Sequence, residues 1–280
     1  MTGREYRAEV FQNTQKMIEE SEKIKNSLSK SLEKQKFYDV GWVPAPISEI
    51  EKQKYKTNII ITKCRTMEAG MAWSKKGNTA VLNFASATTP GGGVVKGSSA
   101  QEECLCRVST LYNCLNTDYC WDNFYNPNRE EANVLHNDKI IYTPKVIVFK
   151  DDDYKVLDES EYFYVDVITC AAPNLREVPN NGWCNMGESN TRAIISDEKL
   201  FEIHKKRAEA ILNVAMENKI KNLVLGAFGC GAFKNNPEVV AKAYKEVLKE
   251  FDGVFENIEF AIYCKDNEAE NFKIFVNNIF

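Results

Sequence analysis

The feature that most constrains this chain is a repeated exchange between short apolar, β-branched runs and longer helical stretches. TNIIIT (57–62), TAVLNFA (79–85), KVIVF (145–149), FYVDVIT (163–169), NLVLGAF (222–228) and IEFAIY (258–263) read as strands, and residues 101–115, 198–218 and 237–251 as helices between them. Several of these strands are continuous apolar runs, as in a sheet covered by helices on both faces. The sequence therefore predicts a three-layer α/β/α sandwich around a mixed, mostly parallel sheet. Residues 6–36 contain neither Pro nor Gly and repeat apolar positions at helical spacing, with SLSKSLEKQK as a solvated stretch. Pro44 and Pro46 then break the chain. The expected organisation is an N-terminal helical extension, 1–50, packed on a core of 51–280. Residues 117–139, aromatic and polar, read as a long inserted loop.

Composition narrows the function. The 280 residues are 44% hydrophobic, enough for a large core. A net charge of -4 argues against a protein that coats nucleic acid or a membrane surface. The nine cysteines, at 64, 104, 106, 114, 120, 170, 184, 230 and 264, are odd in number and scattered, which suits a reducing cytosol better than a disulfide framework. No C-x-x-C pair occurs and the two histidines, His136 and His204, are isolated, so no metal site and no cofactor are expected. The polar start and the lack of any apolar run near ~20 residues point to a cytoplasmic protein without a membrane span, expected to be a monomer.

Two strands end in glycine-rich loops, residues 90–97 and GAFGCGAFKNNP (226–237). Beyond the carboxyl ends of strands such loops let backbone N–H groups approach a phosphate. Asn236 as N-cap and Pro237 at the first position begin the helix after the second loop. The second loop fits neither a Walker nor a dinucleotide fingerprint, and the reading from residues alone leaves ligand loops and structural turns both open.

The first loop runs into Gln101, Glu102 and Glu103. Ser99-x-x-Glu102 and Ser98-x-x-Gln101 both match capping boxes, which would account for one acid without any chemistry. Glu103 stands roughly 100° further round the helix and needs another partner. A helix N-terminus is expected to lower its pKa, so acid chemistry there would require bound substrate and excluded water. His204, in a charged helical stretch, reads as a surface residue. Trp121, Phe124 and Tyr125 read either as a ligand wall or as packing under a loop. Cys230 has no visible base to make it a nucleophile.

Gly91-Gly92-Gly93, a seven-residue spacer and Gln101-Glu102-Glu103 together resemble the signature of the bacterial-type poly(ADP-ribose) glycohydrolases, which have a macrodomain fold. RAEVFQNTQKMIEE, VLNFASATTPGGG, IIYTPKVIVFKDD, VDVITCAAPN and LVLGAFGCGAFKNNPEVVA resemble further blocks of that family in the same order, while TTPGGG and Lys150 look like local variants. The resemblance implies hydrolysis of the ribose–ribose bond in ADP-ribose polymers and on ADP-ribosylated proteins, with Glu103 as acid and base and Glu102 fixing ribose hydroxyls. It further implies substrate contacts from Asn83, Gly91, Gly92, Gly93 and Gln101. Gly229, Cys230, Gly231, Ala232 and Phe233 would wrap the diphosphate, with the Phe233 ring on a ribose. A non-catalytic ADP-ribose reader and a hydrolase of single ADP-ribose groups remain the alternatives.

Overall fold

The computed structural model describes residues 2–180, 189–265, 267 and 269–280. Cys184 lies outside them. The chain opens with α1 (Gly3–Glu20) and α2 (Glu22–Glu33), where the sequence predicts one helix. Ser21 is extended and its hydroxyl accepts from Ile24 N at 3.4 Å, so it caps α2 where α1 stops. SLSKSLEKQK is only partly solvated, because Ser27 and Ser31 are buried and Ser31 donates to Lys145 O at 3.0 Å. Lys36–Tyr38 leaves the helix to form β1.

After α3 (Glu49–Lys52) come β2 (Asn58–Thr62), α4 (Thr66–Ser74) and β3 (Thr79–Ala85). The predicted helix 101–115 is two, α5 (Gln101–Val108) and α6 (Leu111–Leu115). Ser109 turns extended between them and its hydroxyl donates to Leu105 O at 2.8 Å. The predicted loop at 117–139 is largely helical: α7 (Asp118–Cys120), a π turn (Trp121–Tyr125) and α8 (Asn126–Glu131). Thr117 caps this run, and buried Phe124 and Tyr125 anchor it in the core.

β4 (Ile140–Val148) begins before its predicted run, because a bulge between Thr143 and Val146 accommodates Pro144. β5 (Phe163–Ala171), α9 (Asp197–Glu217), β6 (Asn222–Leu225), α10 (Pro237–Glu250), β7 (Asn257–Ala261) and α11 (Glu270–Ile279) complete the chain.

Among the described residues the sheet has seven strands in the order β1-β4-β5-β3-β6-β7-β2. The run from β5 to β2 is parallel, and β4 lies antiparallel to β5 and β1, so the sheet is mixed as predicted. Side chains alternate across it. Ala80 and Leu82 of β3 enter the core shared with α9, α10 and α11, whereas Val81 enters the core shared with α4, α5 and α6. Three layers follow. α1 is fixed outside α5: Thr14 Oγ1 donates to Arg107 O at 2.5 Å, and buried Lys150 Nζ reaches Thr14 Oγ1 at 2.7 Å and Val10 O at 3.2 Å. Burial pushes the Lys150 ammonium down to about 8. No described helix is long and apolar enough to cross a membrane.

One irregularity places the site. β3 pairs with β5 from Ala80 to Ala85 but with β6 only from Thr79 to Val81. Past Val81 the two strands part, β3 leading to α5 on one face and β6 to α10 on the other. Such a crevice at the carboxyl ends of parallel strands is where α/β sheets bind ligands.

Candidate active site

Gln101 closes the gap between the parted strands. Its Oε1 accepts from Phe84 N at 2.9 Å, and its Nε2 donates to Leu82 O at 2.7 Å and Thr66 Oγ1 at 3.2 Å. The amide replaces the missing β neighbour and pins the first turn of α5 at the mouth of the crevice. The N-cap of α5 is Ala100, without any side-chain bond. Neither Ser98 nor Ser99 forms the expected capping box. Both glutamates are released from helix capping and turn inward.

Glu102 is 2% exposed. Its Oε1 accepts from Asn83 Nδ2 at 3.2 Å and its Oε2 from Ser86 N at 2.8 Å, which ties α5 to the end of β3. Burial, and then the neighbouring Glu103, push its carboxyl up to about 8. Glu103 is 4% exposed; its Oε1 accepts from Gly93 N at 2.9 Å, while its buried Oε2 has no hydrogen-bond partner. Burial raises this carboxyl too. That reverses the expected depression, because desolvation outweighs the dipole of an eight-residue helix. Whenever the carboxyl is protonated, the Gly93 N–H bond to Oε1 leaves Oε2 as the oxygen free to hold the proton. Gly92 makes the arrangement possible: its φ is +55°, and a Cβ there would lie 2.7 Å from Glu103 Oε1.

Opposite stands the second loop, with Asn236 capping α10 from the predicted position (Glu238 N to Oδ1, 3.1 Å) and Pro237 next to it. Asn235 holds the loop shut. Its Nδ2 donates to Pro173 O at 2.7 Å, Gly229 O at 3.1 Å and Phe233 O at 3.3 Å. Gly229, with φ +77°, packs so tightly on this amide that a Cβ would lie 2.9 Å from Asn235 Nδ2.

Between the loops lies a cleft of about 1150 Å³, lined by Gly92, Gln101, Glu102 and Glu103 on one side and Gly229, Gly231, Ala232 and Phe233 on the other. The remaining predicted contacts stand behind its wall. Asn83 is buried and holds Glu102; Gly93 serves Glu103 through its N–H; Gly91 packs toward Tyr112 and Cys106. Cys230 is buried with its thiol on Phe228 O at 3.6 Å, and burial pushes that thiol up, away from nucleophilic use. Among the described residues no group of His, Cys, Asp and Glu converges as a metal-ligand set.

A family profile, microbial-type PARG, catalytic domain, matches residues 8–151. The chain belongs to the microbial-type PARG family. Solved structures are similar over 90% or more of the chain. Poly(ADP-ribose) glycohydrolase (PARG) from Thermomonospora curvata is 27% identical over 98% of this chain and 100% of that one, with a TM-score of 0.84. The same enzyme bound to the inhibitor ADP-HPD covers 98% of this chain and 99% of that one at 27% identity, with a TM-score of 0.79. PARG from Deinococcus radiodurans in complex with ADP-ribose is 30% identical over 90% of this chain and 96% of that one, with a TM-score of 0.75. Among curated proteins none matches.

Two supports of this PARG site escape a reading of the sequence. His204, expected at the surface, is 1% exposed, and its Nε2 meets Asn235 Oδ1 at 2.8 Å. With Asn235 Nδ2 spent on carbonyls, Oδ1 must accept, so Nε2 carries the proton. Burial pushes the imidazole down to about 4 and keeps it neutral. One turn on, buried Arg207 donates to Leu135 O at 2.7 Å and His136 O at 2.9 Å, and the His136 ring lies 5.8 Å from that of Phe233. The only sequence signal was that a helix rich in charge placed His204 and Arg207 three residues apart, hence on one face. Trp121, Phe124 and Tyr125 do not line the cleft; they pack in the core on the α5 side.

Proposed function

We propose that the protein hydrolyses the ribose–ribose O-glycosidic bond of poly(ADP-ribose) with Glu103 as its acid and base. The unpartnered, buried Oε2 of Glu103 beside the ligand cleft carries this reading. The pyrophosphate lies along the N–H groups of the second loop, and the distal ribose reaches between Gly92 and Phe233. Glu103 Oε2–H gives its proton to the oxygen leaving the anomeric carbon as that C–O bond breaks, and positive charge spreads over the ribose ring. The carboxylate then takes a proton from the water that attacks the same carbon, which restores the acid and yields ADP-ribose and a shortened chain. Glu102 fixes the loop through Ser86 N and meets the ribose hydroxyls. Gln101 meets the substrate from the lining at the crevice mouth, while Asn83, Gly91, Gly93 and Cys230 act from behind it.

In this reading residues 1–50 form an extension packed on a catalytic core of 51–280, working as a monomer in the cytosol on the polymer and the proteins that bear it. The described cysteines are free thiols, which supports a reducing compartment. The test is single-turnover digestion of poly(ADP-ribosyl)ated protein. Wild type is expected to release ADP-ribose, and Glu103→Gln to lose roughly 10²–10⁴-fold in rate while keeping its affinity for free ADP-ribose. Polymer that persists with wild type overturns the assignment.

A further inference from the structure

The cleft does not end at the glutamates. It continues past Ser98, Ser99 and Ala100 into a compartment lined by Arg4, Tyr6 and Arg7 of α1, by Asp152 and Tyr154, and by Arg65. α1 is seated there by two guanidinium contacts: Arg4 Nε donates to Lys96 O at 2.7 Å and Arg7 Nε to Gly97 O at 2.8 Å. The Nη1 and Nη2 donors of Arg7 have no partner among the described residues, and no carboxylate pairs with it. The Tyr6 ring, exposed at the surface, meets the Tyr154 ring at 6.4 Å between centroids, tilted by 53°. Arg65 donates to Asp152 O at 2.6 Å and lies over the Tyr263 ring at 4.5 Å.

A guanidinium fork with two unused donors beside aromatic faces is the equipment that recognises a nucleoside diphosphate: the fork matches the phosphates and the rings stack on the base. The whole cleft, about 1150 Å³, is also larger than the roughly 300–1,000 Å³ that serves a single small ligand. If the first compartment holds one ADP-ribose unit, as proposed above, a polymer must place another nucleoside diphosphate next to it.

We infer that this compartment is a second nucleotide subsite, which binds the adenosine diphosphate of the neighbouring polymer unit through Arg7 and the rings of Tyr6 and Tyr154. The extension is then part of substrate recognition and not only a cover for α5. The subsite rests on the reading that the first compartment takes ADP-ribose, and its test keeps the two apart.

The test uses the full-length Glu103→Gln protein, which does not consume its ligand, titrated with ADP-ribose and with a purified ADP-ribose dimer. The dimer is expected to bind at least about fivefold more tightly than the monomer. Adding Tyr6→Ala, a change at an exposed ring, is expected to abolish that advantage while monomer affinity and melting temperature stay level. Arg7→Gln, which also removes the Nε contact to Gly97 O, is expected to abolish it with monomer affinity level and a lower melting temperature. Equal affinity for dimer and monomer, an advantage that survives both changes, or a parallel loss of monomer and dimer binding would each overturn the subsite. Failure of monomer binding together with inert wild type would instead overturn the reading of the first compartment. A trimer labelled on its terminal adenosine, cleaved once by wild type, identifies the neighbour. Labelled monomer means that the subsite takes the leaving unit, and labelled dimer that it takes the unit beyond.

Discussion

At Gly92 a backbone angle and a carboxyl group compete for the same space. Gly92→Ala adds about 1–2 kcal/mol of left-handed strain and pushes a methyl group to 2.7 Å from Glu103 Oε1. We expect a lower melting temperature and a fall in kcat far larger than the loss of ADP-ribose affinity, measured by calorimetry and turnover. Glu102 offers a thermodynamic check. Its folded pKa, about 8, lies above the ordinary 4.5. Between those values the unfolded chain releases the proton and the folded one keeps it, so the carboxyl's contribution to stability declines as pH rises and is lost past about 8. Glu102→Gln cannot ionise, and Asn83 can turn its amide to accept from it. The melting temperature of the variant should therefore gain on wild type across that window; a constant gap between the two melting curves would contradict a buried, protonated Glu102. Glu103, raised in the same direction by burial, implies a kcat that falls as pH rises, and Ser98 and Ser99 show why the sequence could not say so. Both fit a capping box, yet Gln101 is drawn into the gap beside β3 and Ala100 becomes the cap.

Among the elements, the second loop owes its shape to α9. His204 dictates which way the Asn235 amide faces, and that amide gathers Pro173, Gly229 and Phe233. His204→Leu leaves the Asn235 acceptor buried without a donor, a cost of about 1–3 kcal/mol. We expect ADP-ribose binding and KM to worsen by roughly tenfold, with kcat changed less, because His204 positions the loop and does not meet the reacting atoms. The imidazole also titrates low, at about 4 instead of 6.5. As pH falls through that interval the unfolded chain takes up a proton that the folded one refuses, so wild type loses stability on acidification and the leucine variant lacks that component. The sequence showed a histidine among charges and no more. Its burial depends on α9 lying beneath a loop that begins only after β6. The same limit explains residues 117–139, whose helical turns are decided by where Phe124 and Tyr125 are buried.

Over the molecule as a whole, an acidic chain carries a cleft whose walls include Arg4, Arg7, Arg65, Arg176 and Lys265. The acids among them are subdued: burial pushes Glu102 up to about 8 and Asp152 up to about 6. Added salt should therefore lower kcat/KM on polymer by about threefold or more, mainly through KM; a rate indifferent to ionic strength would mean that this cationic wall plays no part. The sequence by itself determined the class of fold, since period-2 and period-3.6 apolar patterns are local properties of the chain, and the spacing from the triple glycine to Glu103 pointed to its family. It also placed the first turn of α10 correctly, because Asn236 and Pro237 act on their immediate neighbours. Only the tertiary structure decided that β3 and β6 part, that Gln101 fills the gap, that both glutamates are buried and raised, and that His204 and α1 flank the site. Those features depend on desolvation and on contacts between residues about 10 to 140 positions apart, across different elements, which no local pattern encodes.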